Sequence, residues 1–339
     1  MRERAIIVTL GFGSVLINTM PVWIGELARH PAISASAAGT LGSVVLLSAA
    51  VTCVGSGFGA PLRLQKALVP LCLILLALGA AMPVAVILGA ACGLGLALGA
   101  LTGRALAGLS GDPASLRHVS AALSLGLIVS LAVYLALPVL GVPALWTIAA
   151  LSLSLMRVGA PGPAAGTPPP WTALRSGFPI GHLAFFVMMG AYWTYLELFG
   201  EAFAQSEMLP FWLLASLLSG ALGAHLAARI PPGGRRRVRG WSVLAAALTG
   251  AASYAAPTLP LLGASIVANG FFLFLFFPLY LDGSGAGAPR AMAAYLLGFA
   301  CGGAVGALVI RAGGYPALAV AILVGGAIAL IPARRLGRP

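Results

Sequence analysis

Long apolar runs follow one another along the whole chain, at about 5–28, 36–58, 67–84, 85–103, 118–140, 142–157, 178–201, 208–229, 240–257, 260–281, 291–311 and 315–333. A helix rising 1.5 Å per residue needs about 20 mostly apolar residues to cross a hydrocarbon core about 30 Å thick. Only 8% of the residues are charged, whereas water-soluble domains carry about 25%. Too few charges remain to clothe a water-exposed surface. The chain reads as an all-α polytopic membrane protein with about twelve transmembrane helices. Its first run, in "MRERAIIVTLGFGSVLINTMPVW", is too long for a cleavable leader and lacks a small-residue cleavage site. It reads as the first span.

Where the cations fall tests the count. The net charge is +12, but the basic residues stand between apolar runs rather than in one patch, which points away from nucleic acid. With twelve spans and the amino terminus in the cytoplasm, every Lys and Arg except Arg29 and Arg311 lies on the inner side. That asymmetry is the positive-inside pattern. One helix more or fewer would invert every later loop and destroy it. Both termini are therefore expected in the cytoplasm, with the protein in a plasma (inner) membrane.

After the sixth run comes "RVGAPGPAAGTPPPWTALRSG", dense in Pro and Gly and poor in residues that could pack. It divides the chain into a six-helix half at 1–157, a cytoplasmic linker at 158–177 and a second six-helix half at 178–339. The halves echo each other. "WIGELA" ends the first span and "LFGEAFA" the seventh, while "GFGAPLRLQK" and "GALGAHLAAR" close the second and eighth. Such pseudo-symmetric repeats are common in transporters. The second basic loop, "RIPPGGRRRVRG", reads as a topology determinant, with anionic-lipid binding as its functional alternative.

Six spans, a central linker, six more spans and basic loops after spans two and eight together resemble the major facilitator superfamily over nearly the whole chain. At the loop between spans two and three the sequence keeps Gly57, Arg63 and Lys66, with Pro61 near the acidic position of the family pattern. In the fourth span Gly93 and Gly95 match, while Gly89 stands near the usual Arg. The fifth span lacks the Gly-Pro signature of proton-driven drug antiporters. The resemblance thus implies the fold and secondary transport, with spans one, four, seven and ten lining a central cavity. A ten-helix drug/metabolite-type transporter of similar length fits the linker and the cations less well.

Helical spacing sorts the polar residues of these spans. In span one, Gly11, Ser14, Asn18, Pro21 and Gly25 share a face, with Asn18 near the midplane. In span seven, Gly190, Thr194, Glu197 and Glu201 do the same, and Trp193 adjoins them between Tyr192 and Tyr195. In span ten the face carries Ser265, Asn269, Phe272 and Phe276. Glu197 stands out. An ionised carboxylate in a bilayer costs roughly 2.5–3.5 kcal/mol on insertion scales, so a membrane-embedded one is a functional candidate by default. Carrying a proton and pairing with a cationic substrate are its two plausible tasks. Asn18, Trp193, Thr194, Glu197, Asn269 and Phe272 form the expected substrate and proton pathway. GxxxG stripes at Gly95, Gly99 and Gly103 and at Gly298, Gly302 and Gly306 are expected to let helices approach closely. The histidines read as solvated interface residues, and Arg104 with Asp112 as a local cap or a gating pair.

There is no phosphate-binding loop, no Cys/His pairing at metal spacing and no Ser/His/acid set at one depth. No cofactor and no enzymatic activity are expected. The expected function is alternating-access transport of a small organic solute, with protons as the candidate coupling ion, by a monomer whose other partner is the lipid bilayer. A non-transporting scaffold or receptor and an intramembrane enzyme are the alternatives from other classes.

Overall fold

The computed structural model describes residues 2–28, 33, 35–55, 61–79, 82–109, 112–158, 179–200 and 208–331. The linker from residue 159 to 178, Glu201 and the basic carboxy-terminal tail lie outside them. The described chain is helical: α1 (Arg2–Asn18), α2 (Met20–Ala28), α3 (Ala35–Val54), α4 (Leu62–Ala77), α5 (Val84–Ala107), α6 (Ser115–Leu140), α7 (Ala144–Arg157), α8 (Ile180–Gly200), α9 (Leu209–Ala227), α10 (Pro232–Tyr254), α11 (Leu259–Gly283) and α12 (Ala288–Leu330). Five of them, α5, α6, α9, α11 and α12, are each long and apolar enough to cross a membrane, and α1 with α2, bent by 51° at their junction, are together long and apolar enough to do so as a pair. Outward-facing side chains such as Val139 (86% exposed), Leu308 and Val51 are aliphatic. A surface of that kind suits lipid, not water.

Proline decides where several helices begin. Pro61, Pro83, Pro143 and Pro231 immediately precede α4, α5, α7 and α10, and none of these starts has a side-chain cap of its own. The ring presets φ, and the missing N–H is no loss at a position where it would find no helical partner. Their carbonyls instead accept the first helical bonds, from Leu64, Val86, Thr147 and Gly234.

One expected span and one expected loop differ in form. The first, read as one helix, bends after Asn18, because Pro21 supplies no N–H to the Ile17 carbonyl and its ring crowds that carbonyl. The Trp23 indole N–H donates back to the Leu16 carbonyl (3.3 Å) and the Thr19 hydroxyl to the Val15 carbonyl (2.7 Å), satisfying groups at the break. The basic stretch "RIPPGGRRRVRG", read as a loop, is helical from Pro232 onward. Spans eleven and twelve, within α12, are two helices that meet at a kink at Gly313 and Gly314. Gly314 has φ of 70° and ψ of −168°, a backbone that strongly favours glycine.

The helices form two compact units. One comprises Met1–Gly177 with Ser284–Ala293, and the other Phe178–Gly283 with Ala294–Pro339. In the first unit α3 packs on α5, α1 on α6, and α4 on both α5 and α7. A Cβ on Gly95 or Gly99 would collide with the Val45 or Ala49 carbonyl of α3, so the α3–α5 contact depends on those glycines. Gly126 of α6 meets Gly11 and Ser14 of α1 in the same way. Trp23, Leu73, Leu76 and Leu94 fill the core of this unit. In the second unit α11 lies between α9 and α10, while α8 packs on α12 through Gly190, Gly298, Gly302 and Gly306.

Candidate functional site: polar faces of α1, α8 and α11

The bend in the first span creates the setting of Asn18. In a regular helix the Val22 N–H would bond to the Asn18 carbonyl. Here it bonds to Thr19 (3.1 Å), and the freed Asn18 carbonyl accepts from the Tyr134 hydroxyl of α6 (2.9 Å). The Asn18 amide donates to Ser14 Oγ one turn back (3.0 Å). Asn18 is half-buried, so a polar side chain and a bend coincide on one face of α1.

On α8, Gly190 permits close approach to α12, since a Cβ there would stand 2.8 Å from Phe299 Cα. The Thr194 hydroxyl donates to the Gly190 carbonyl (2.8 Å), and the side chain is exposed on the face that carries Gly190. The backbone of Glu197 continues that face one turn later within α8; its side chain lies outside the described residues. Aromatic residues around this turn are tied down. Trp193 is half-buried and stands edge-on to Tyr192, with centroids 5.1 Å apart. Tyr192 shares a hydrogen bond with Ser253 Oγ (3.2 Å), its carbonyl accepts from the Tyr254 hydroxyl (2.6 Å), and the Tyr195 hydroxyl donates to the Gly303 carbonyl (2.8 Å).

The α11 face turns largely inward. Ser265, Asn269 and Phe276 are buried, while Phe272 is half-buried and edge-on to Phe271. Asn269 Nδ2 donates to the Ala246 carbonyl of α10 (2.7 Å) and lies 4.0 Å from Met189 Sδ of α8, and Asn269 Oδ1 has no hydrogen-bond partner among the described residues. Phe276 packs against His182, Phe185, Phe186 and Tyr280. Thus Trp193, Thr194 and the Glu197 backbone come together on α8, and Asn269 joins three helices through Ala246 and Met189. Asn18 belongs to the other unit.

Polar contacts that sequence reading missed lie at helix ends. Glu26 was legible only as half of an internal repeat. Its carboxylate accepts from the backbone N–H groups of Ala144 and Leu145, 3.3 Å from the latter, and so caps the start of α7. Charge at that end also complements the helix dipole. Glu26→Ala is therefore expected to cost about 1 kcal/mol, read as a lower midpoint of thermal inactivation with the helix content of the folded fraction unchanged. His118 is not the solvated residue its position suggested: 11% exposed, it stands 3.5 Å from a Glu3 oxygen and 3.3 Å from an Asp112 oxygen. Asp112 also accepts from the Ala114 N–H (2.8 Å), so its carboxylate acts as a local cap and does not join Arg104 in any ion pair of the described residues. Arg235 pairs with Asp282 at 3.0 Å, joining the start of α10 to the end of α11.

No family model matches the sequence, and no curated protein matches it. Solved structures do match, over nearly the full length of both chains. The human organic anion transporter MFSD10 (TETRAN) superposes with a TM-score of 0.68 at 16% identity, covering 99% of this chain and 97% of that one. The fold is that of the major facilitator superfamily. The E. coli fucose:proton symporter FucP gives a TM-score of 0.68 at 14% identity, covering 99% of this chain and 98% of that one. The proton:xylose symporter XylE, a major-facilitator protein bound to 6-bromo-6-deoxy-D-glucose, gives 0.65 at 14% identity, covering 99% and 96%. Along the helix order of this chain, Asn18 lies at the end of α1, Trp193, Thr194 and Glu197 on α8, and Asn269 and Phe272 on α11.

Proposed function

We propose that this chain is a secondary transporter of a small organic solute, working by alternating access between two six-helix halves. The observation that carries the reading is the major-facilitator fold, matched along 99% of the chain by three proteins described as transporters or symporters. Two of those symporters move a sugar with protons, which supports a small hydrophilic solute and proton coupling. The halves are residues 1–157 and 178–339, joined by a cytoplasmic linker at 158–177. Asn18, Trp193, Thr194 and Phe272 line the solute pathway, buried Asn269 braces α8, α10 and α11 beside it, and Glu197 carries the proton. A carboxyl embedded in the membrane is costly to ionise without a partner, which suits it to take up a proton on one side and release it on the other as the solute moves. No cavity arginine stands among these residues, so a strongly anionic solute fits less well.

A thermal-stabilisation screen of the purified protein, with sugars and small organic ions, tests the substrate class directly. A ligand of the folded state raises its apparent stability, so at least one such solute is expected to raise the inactivation midpoint in a saturable manner. Topology is tested separately. The cation distribution supports a cytoplasmic position for both termini and for the linker around Pro168. A single cysteine at Pro168 should be labelled by an impermeant thiol reagent only after the membrane is opened. Labelling in intact cells would overturn the orientation.

A further inference from the structure

The run Arg235, Arg236, Arg237 and Arg239 lies on the first turns of α10, and helical geometry splits it in two. Arg235 and Arg239, four residues apart, turn toward the end of α11. Arg235 bonds to Asp282 at 3.0 Å, and the Arg239 guanidinium occupies the space a side chain on Gly283 would need. Arg237 turns the other way, with Arg236 between the two faces. Both are exposed, neither belongs to an ion pair of the described residues, and both line a groove of 540 Å³. Trp241 and Leu244 of α10 and Leu330 at the end of α12 form its apolar wall.

The order of these groups along α10 identifies an occupant. Trp241 follows Arg237 by one turn and Leu244 by two, so cationic, indole and aliphatic surfaces succeed one another over about 10 Å. The indole is 60% exposed. Tryptophan favours the headgroup level of a bilayer, and arginines just outside it attract anionic headgroups. Glycine keeps the groove open: a Cβ on Gly233 would meet nothing within 4 Å, and one on Gly240 only the Leu330 side chain at 3.8 Å. A free anion would use the arginines and leave the apolar wall bare. An anionic phospholipid uses all of it.

We propose that this groove is a binding site for an anionic phospholipid. Its phosphate is held by Arg236 and Arg237, beside the positive end of α10, and its upper acyl chain lies on Trp241, Leu244 and Leu330. The site is separate from the solute pathway.

Native mass spectrometry of the purified protein, titrated with phosphatidylglycerol or phosphatidylcholine, tests the assignment. The wild type should retain one phosphatidylglycerol in preference to phosphatidylcholine. The double variant Arg236→Gln/Arg237→Gln should bind it about thirtyfold more weakly, roughly 1 kcal/mol for each arginine removed. Trp241→Ala should weaken retention with the charges intact. A control variant, Arg63→Gln/Arg229→Gln, removes the same charge from exposed positions outside the groove and should retain the lipid as the wild type does. Equal retention of the two lipids would overturn the proposal, as would undiminished binding in the Arg236/Arg237 variant or an equal loss in the control. Displacement of the lipid by inorganic phosphate alone would mean a soluble-anion site and would also overturn it.

Discussion

Gly302→Leu is expected to cut the yield of folded protein several-fold and to lower the inactivation midpoint of what remains. A Cβ at this position would sit 2.5 Å from the Ala191 nitrogen and the Gly190 carbonyl carbon, both backbone atoms of α8. Flexible side chains can swing aside, but two helix backbones cannot. The same contact line continues at Gly298 against Phe186 and at Gly306 against Tyr195 and Ala191, so displacement at Gly302 propagates along α8. Overpacking in a tight core costs about 1–3 kcal/mol, and more where backbone must move. Because unfolding of such proteins is commonly irreversible, the readout is a rate or midpoint of inactivation. Gly303→Leu is the control on the neighbouring position. Its nearest obstacle is the Thr194 side chain, with a Cβ contact of 3.5 Å, so its loss should be smaller. Equal yield and stability for Gly302→Leu and the wild type would contradict close packing of α8 and α12.

Glu197→Gln carries the second large effect. Glutamine keeps the size and hydrogen-bonding reach of glutamate but cannot titrate. In the proposed mechanism it should abolish accumulation of solute against a gradient while sparing binding, which the thermal screen reads independently. Residual transport should become insensitive to the pH difference across the membrane. Accumulation by the Gln variant with wild-type pH dependence would remove Glu197 from the coupling step and leave it a structural residue.

The span order was readable because hydrocarbon thickness and cation placement each constrain it. The glycine stripe of α12 was also readable as a face of close approach. Its partner was not, since spacing gives a face and never what stands opposite; Gly190 and Ala191 emerge only from the packing. Asn269 illustrates the same limit. Its depth and face follow from spacing, but its donation to the Ala246 carbonyl and its complete burial depend on how α10 and α11 meet. Glu26 caps a helix start 118 residues away, a relation no local pattern encodes. The helical start of α10 was hidden for a different reason: Pro231, Pro232, Gly233 and Gly234 form a string that signals a turn, yet a proline just before a helix starts it as readily as it ends one.

Transport itself is tested most directly in proteoliposomes. The protein is reconstituted with an alkaline interior, and the solute that most stabilises it in the thermal screen is supplied outside. Internal solute should rise above its external concentration and fall back to equality when a protonophore collapses the pH difference. Entry no faster than into protein-free liposomes would contradict the proposed function.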